Sequence, residues 1–246
     1  MGLLITFGKM NIRELHRFLN IKAKMEKIKI LLMIMVVSGW NCKENPKQTE
    51  QKIEAVLLET QTTADLPDSI MGIAVFAVPT FTDTMDIHDL MLFRELNVED
   101  NTVSTIDWNR ADDLYKKMAT RGQISSLPIF EIKSTDLVVL TVQGVGFGGA
   151  IWAKVLLDKK TLEIKSIAFE NKAESEGYGA AMVQSTFEDQ FLGVKINLEK
   201  DSFTLQKGND DVHFIDGISG ATMTSKGAVS MMNQGLRKYS SYLKGN

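Results

Sequence analysis

The sequence predicts an α+β fold, a twisted and mostly antiparallel sheet flanked by helices. Three observations carry this. Segments of β type follow one another as a meander between Pro128 and Phe169. Apolar residues at helical spacing gather at the C-terminal end, after those strands. The chain has 246 residues, 44% of them hydrophobic, with only 4 Pro and 18 Gly, which is ordinary globular composition and enough to bury a real core. Strands and helices that are segregated along the chain read as α+β.

Taken in order, the front end is basic. Residues 1–42 hold seven basic and two acidic side chains, net +5, which leaves −8 of the total −3 for the remainder. Lys27 and Lys29 precede the run Ile30-Leu-Leu-Met-Ile-Met-Val-Val-Ser-Gly-Trp40, eleven uncharged and mostly apolar residues, and the sole cysteine, Cys42, follows. That run is short for a membrane span and suits the core of an export signal. The order of basic segment, apolar segment and cysteine resembles a bacterial lipoprotein signal, with Cys42 as the lipidated residue. Trp40 and Asn41 stand where such signals carry small residues. Met25-Glu-Lys-Ile-Lys reads as a better start, which makes 1–24 an over-extended frame. Residues 43–50 read as a polar tether, and 51–246 as one domain.

Within that domain, Ile53, Val56, Leu57 and Leu66 predict an amphipathic helix over 51–66. The apolar run Met71–Val78 predicts a strand stopped by Pro79. Residues 81–108, rich in Asp, Thr and Asn, are assigned to no element. There Asp83, Asp86, His88 and Asp89 read as a solvated acidic face rather than a metal cluster. Strands are predicted over Pro128–Glu131 and its following Ile, Leu137–Val142, Ala150–Leu157 and Leu162–Phe169, with a turn at Asp158-Lys-Lys-Thr. A short helix is predicted over Gln184–Leu192 and a longer one over Ser225–Leu243. In the longer helix Val229, Met232, Leu236, Tyr239 and Leu243 form a core stripe.

Composition excludes several chemistries. One Cys rules out a disulfide framework, a Cys₄ zinc site and a cysteine-ligated iron–sulfur cluster within one chain. Three His and no Cys-x-x-Cys-His leave no covalent haem. If the protein carries electrons, an organic cofactor carries them. An acidic body has no electrostatic reason to bind nucleic acid.

Two glycine-rich stretches stand out. Gly144-Val-Gly-Phe-Gly-Gly149 runs into a strand instead of opening a helix and lacks the Lys-Ser/Thr of a phosphate loop, so taken alone it is a β-turn. Asp216-Gly-Ile-Ser-Gly-Ala-Thr-Met-Thr-Ser225 is more informative. Gly217 and Gly220 permit a tight path, and Ser219, Thr222, Thr224 and Ser225 cluster at the mouth of the last helix. A phosphate is favoured there. A plain helix cap by Thr224 or Ser225 is the alternative. Gly217-Ile-Ser219-Gly-Ala221 departs from a hydrolase nucleophile elbow, and no histidine follows Ser219.

The stretch Asp216–Thr224 resembles the flavinylation motif Asp-Gly-x-Ser-Gly-Ala-Thr-x-Thr of the FMN-binding domain family. That domain occurs in one component of the sodium-translocating NADH:quinone reductase and in one component of the Rnf electron transport complex. Gly144–Trp152 is similar to the family's Gly-x-Gly-Leu-Trp-Gly segment, with Phe147 in place of Leu-Trp. Glu174-Ser-Glu-Gly-Tyr-Gly179 is similar to its Glu-Thr-Pro-Gly-Leu-Gly, and Phe187-x-x-Gln-Phe-x-Gly193 follows. The resemblance is clearest over 125–243.

The resemblance implies FMN attached through a phosphoester to Thr224, at the start of the C-terminal helix. It implies a cofactor site drawn from Asp216, Gly217, Ser219, Gly220, Ala221, Thr222, Ser225, Glu174, Gly177, Tyr178, Gly179 and Phe147. Gly177 and Gly179 would let the backbone approach the flavin, and Tyr178 or Phe147 would pack on it. The function implied is that of a membrane-anchored electron carrier outside the cytoplasm. Such a carrier is a redox carrier or oxidoreductase subunit rather than a stand-alone catalyst. Its partners would be a flavin transferase for maturation and the subunits of a membrane redox complex, with a lipid anchor or N-terminal segment at the membrane. The alternative is a lipoprotein binding module of the same fold without flavin.

Overall fold

The structure is a computed structural model. It describes residues 66–245 except 83, 121, 123, 209 and 210. The export segment, Cys42, the tether and all but the last residue of the helix expected over 51–66 lie outside the described residues.

The first element corrects the sequence reading. Asp68–Ala77 is a helix, α1, where a strand was expected. Its buried residues are Ile70, Ile73, Ala74 and Ala77, spaced for one helical face, and Asp68 sits in the first turn. A short apolar run does not distinguish a strand from a buried helix by itself. Pro79 does end the element, since Val78 before it is extended.

The unassigned stretch 81–108 contains regular elements from residue 87 onward. A one-turn helix α2 (Ile87–Leu90) is capped by Asp86, whose carboxylate accepts the His88 N–H at 2.8 Å. Strands β1 (Met91–Asn97) and β2 (Val103–Thr105) follow, then helix α3 (Trp108–Lys117). Asp107 caps α3 by accepting the Arg110 N–H at 2.8 Å. Four long strands come next: β3 (Ser126–Ile132), β4 (Leu137–Val145), β5 (Ala150–Asp158) and β6 (Glu163–Asn171). The six strands form one antiparallel sheet in the order β2-β1-β3-β4-β5-β6. The expected turn at Asp158 is made by its carboxylate, which accepts the Lys160 and Thr161 N–H groups at 2.9 Å each.

After β6 the chain makes a 3₁₀ turn (Gly179–Val183), helix α4 (Ser185–Glu188) and a second 3₁₀ turn (Asp189–Phe191). The two-residue strands β7 (Phe203–Thr204) and β8 (His213–Phe214) pair in parallel. Helices α5 (Thr222–Arg237) and α6 (Ser240–Lys244) close the chain. The expected single helix over 225–243 therefore begins three residues earlier and breaks at Lys238 and Tyr239. The expected cap also differs. Ala221 holds the N-cap position without a side-chain bond, and Thr224 and Ser225 lie inside the helix. The stripe Val229, Met232, Leu236, Tyr239 and Leu243 is buried, as its spacing predicts.

The pleat of β4 explains how helices cover both faces. Val142 and Gly144 point to α5, where a Cβ on Gly235 would stand 2.7 Å from Val142 and one on Gly144 2.7 Å from Met231. Gln143 points the other way and donates to the carbonyls of Met118, at 3.1 Å, and Thr120, just past α3. One defect in the sheet is repaired by a side chain. Pro128 in β3 has no N–H to offer Thr141 in β4, and the Tyr239 hydroxyl donates to the Thr141 carbonyl instead, at 2.7 Å.

Candidate functional site

Three segments meet at the end of α5. The first is the β4–β5 hairpin loop, closed by the Gly146 N–H on the Gly149 carbonyl at 2.8 Å, which holds Phe147 at its tip, 77% exposed. The second is the loop after β6. There the Asn171 side chain accepts the Glu174 N–H at 3.2 Å, and the Ser175 carbonyl accepts the Tyr178 and Ala180 N–H groups at 3.1 Å each. Gly177 takes φ +75°, the left-handed conformation this turn requires.

The third segment is the approach to α5. Gln190 pins its start: the side-chain oxygen accepts the Asp216 N–H at 2.6 Å, and its amide donates to the Asp216 carbonyl at 3.2 Å. Gln190 stands next to Phe191, whose ring packs with those of Phe169, Phe187 and Phe203 at centroid distances of 5.0 to 5.6 Å, and its own amide also donates to the Thr186 carbonyl at 3.2 Å. Ser225 ties the other end. Its hydroxyl accepts the Ile218 N–H at 2.9 Å and donates to the Ala221 carbonyl at 3.0 Å. Gly220, at φ +72°, lies under Tyr178; a Cβ there would stand 2.9 Å from the ring.

The three segments enclose a hollow of about 290 Å³ lined by Phe147, Glu174, Ser175, Tyr178, Gly179 and residues 220–224. At its base the Thr224 hydroxyl donates to Glu174 Oε2 at 2.7 Å. Glu174 Oε1 accepts the Gly148 N–H at 2.7 Å, and the Phe147 N–H points at Thr224 Oγ1 from 3.4 Å. The first intrahelical bond of α5 runs from Ser225 N–H to the Ala221 carbonyl, so the N–H groups of Thr222, Met223 and Thr224 precede the helical ladder.

Of the residues predicted for the site, Phe147, Glu174, Tyr178, Gly179, Gly220, Ala221, Thr222 and Thr224 line the hollow. Asp216, Gly217, Ser219, Ser225 and Gly177 lie outside its lining. Ser225 and the Asp216 backbone shape the loop, Ser219 is exposed, and a Cβ on Gly217 would stand 3.3 Å from the Ser225 hydroxyl. Gly179 carries a second steric demand besides the approach expected of it. A Cβ there would fall 2.0 Å from Glu174 Oε2 and 2.8 Å from Thr224 Oγ1, so it makes room for that hydrogen-bonded pair.

Sequence reading passed over three residues. Met223, 61% exposed, and Ser175 line the hollow; Met223 stands at an unspecified position of its motif, and Ser175 replaces the Thr of the second segment. Gln190 was visible in Phe187-x-x-Gln-Phe, though nothing in the sequence showed what it holds. A hollow of about 350 Å³ on another side of α5, between Phe203–Gln206 and Lys226–Arg237, contains none of the predicted residues.

Residues 146–237, from the hairpin loop to the end of α5, match the family model of the FMN-binding domain. The resemblance read from the Asp216–Thr224 motif thus holds over that stretch. Among curated relatives, a subunit of the Na(+)-translocating NADH-quinone reductase of Vibrio alginolyticus is 27% identical over 115 residues, 44% of this chain and 45% of that protein. The same subunit of the Haemophilus ducreyi enzyme is 31% identical over 101 residues, 39% of each chain. The matched region therefore spans less than half the length of these relatives. The solved structure of NqrC from Shewanella oneidensis superposes with a TM-score of 0.59 at 20% identity, over 74% of this chain and all of that one. At that identity the likeness is one of fold.

Proposed function

We propose that this chain is an exported, membrane-associated electron-transfer flavoprotein with FMN joined by a phosphoester to Thr224. It would pass electrons within or beside a membrane NADH:quinone reductase or Rnf-type complex. The observation that carries the reading is the place of the Thr224 hydroxyl. Thr224, itself buried, lines the hollow at the first turn of a 16-residue helix, between two exposed aromatic side chains, and its hydroxyl donates to Glu174.

The residues present fit the group. Gly179 and Gly220 keep side chains out of the space beside Thr224 and under Tyr178. The free N–H groups at the start of α5 and the positive end of the helix favour a phosphate's remaining charge; the lining itself holds no cation. Phe147, Tyr178 and Met223 offer apolar surface for a flat ring. FMN, when bound, supplies reversible electron storage in its ring system; the protein supplies attachment, orientation and surroundings. Exposure of the two aromatic residues suits a carrier that must bring its cofactor close to partners.

Export, lipidation at Cys42 and attachment to a membrane complex belong to the same proposal. They are supported by the front-end pattern and by the relatives' being subunits of a quinone reductase. Among the described residues no helix is long and apolar enough to cross a membrane.

The test is co-expression of the full chain with a bacterial FMN transferase, wild type beside Thr224→Val, read by flavin fluorescence of the denatured band. A fluorescent wild-type band and a dark mutant are expected. A dark wild-type band would leave a binding module of this fold without flavin.

A further inference from the structure

We propose that Glu174 accepts the proton of Thr224 during attachment of FMN, so that this chain contributes a catalytic group to its own modification. The inference rests on the reading of Thr224 as the attachment site.

The geometry is that of a nucleophile and its base. A threonine hydroxyl inside a helix ordinarily donates to the carbonyl one turn back. The Thr224 hydroxyl instead reaches 50 residues along the chain to Glu174 Oε2, at 2.7 Å. The carboxylate is held on its other side by the Gly148 N–H at 2.7 Å and through its backbone by Asn171. Two glycines keep the space that it occupies. A Cβ on Gly146 would lie 2.3 Å from Oε1, and one on Gly179 2.0 Å from Oε2. Gly148 lets the hairpin come close enough to donate, since a Cβ there would strike the Ala173 carbonyl at 2.1 Å. Among the described residues no lysine or arginine forms an ion pair with Glu174. Ser175 and Thr222 also bring hydroxyls to the hollow, and Thr224 is the one whose hydroxyl donates to this carboxylate. A hydroxyl is a weak nucleophile until a neighbouring base takes its proton.

Forming a threonine phosphoester requires an activated phosphate, and a flavin dinucleotide carries one in its phosphoanhydride. Thr224 Oγ1 bonds to the phosphorus on the FMN side, and the anhydride P–O bond breaks. The nucleoside monophosphate leaves with that bond's electrons, and the Thr224 proton passes to Glu174 Oε2. No atom changes oxidation state. Once the ester exists, Oγ1 has no proton to donate. The contact thus belongs to the unmodified protein.

The experiment incubates purified, unmodified full chain with a bacterial FMN transferase and flavin adenine dinucleotide. It follows covalent flavin by intact mass and in-gel fluorescence over time. Glu174→Gln and Glu174→Ala are expected to slow incorporation by about 10²-fold or more, the usual worth of a positioned base. Added formate is expected to restore part of the rate in Glu174→Ala and none in wild type, a rescue that a merely structural role would not give. Circular dichroism melts of each variant confirm the fold. Variants that load at the wild-type rate, or a slow Glu174→Ala that formate leaves unchanged, would overturn the proposal. Wild type that takes no flavin would remove the attachment reading itself.

Discussion

Gly227 of α5 lies against the carbonyl oxygen of Val145 at the end of β4, so close that a Cβ on it would stand 2.3 Å away. Helix and hairpin meet here without a side chain between them. This closeness brings Thr224 at the head of α5 under the Phe147 amide of the hairpin loop, beside the carboxylate that the Gly148 amide holds. One consequence is that Gly227→Ala must push the helix from the hairpin, because backbone cannot step aside as a flexible side chain can. The substitution is expected to cost about 1–3 kcal/mol in urea denaturation and to slow flavin incorporation as well. Unchanged stability would mean that the two elements do not bear on each other.

Two neighbouring glycines should fail in different ways. Gly177 faces open space but holds φ +75°, so Gly177→Ala is expected to cost about 1 kcal/mol in backbone strain and still accept flavin. Gly179→Ala would intrude on Glu174 and Thr224 and is expected to abolish incorporation. Parallel melts and in-gel fluorescence separate strain from loss of the site.

Much of the sheet was legible in the sequence. β3 to β6 follow from β-branched and apolar runs bounded by turns, and Asp158 announces its own turn through a short side chain that can bond the backbone. α1 was misread because Met71–Val78 is apolar on nearly every side, and an eight-residue run carries no decisive period. α3 was missed because its apolar face is thin; Trp108, Ala111, Leu114 and Tyr115 stand among six charged or polar residues. The site was legible as a motif but not as a geometry. Thr224 could be singled out from Asp216–Ser225, whereas its partnership with Glu174 joins residues 50 positions apart and is set by the meeting of the loop after β6 with the head of α5.

The Tyr239 hydroxyl fills the gap left by Pro128, wholly buried, donating to the Thr141 carbonyl while the Thr141 N–H approaches it at 3.3 Å. Burial also pushes the phenol's pKa well above its ordinary value. Tyr239→Phe leaves both groups of Thr141 without this partner, and a loss of about 1–3 kcal/mol is expected in urea denaturation. A variant as stable as wild type would show that β3 and β4 close the gap unaided.

Glu188, in α4, accepts the Phe169 N–H of β6 with its carboxylate at 2.7 Å. Burial raises its pKa above the ordinary 4.5, and the nearby charge of Asp189 adds to the shift, against that hydrogen bond. A raised folded-state value means a contribution to stability that is full below the unfolded value and lost as pH rises through the folded one. Gln keeps an acceptor oxygen without the charge. Relative to wild type, Glu188→Gln is therefore expected to gain stability as pH rises above the ordinary 4.5, measured by denaturation at each pH. A flat or reversed difference would contradict the shift.

The central claim is the chemistry of one hydroxyl. Trypsin should release residues 208–226 as a single peptide, bounded by Lys207 and Lys226 and holding Ser219, Thr222, Thr224 and Ser225. Fragmentation mass spectrometry of this peptide, from full chain co-expressed with an FMN transferase, assigns any modification to one of the four. The expected result is FMN less one water on Thr224 alone. An unmodified peptide, or flavin on Ser219, Thr222 or Ser225, would contradict it.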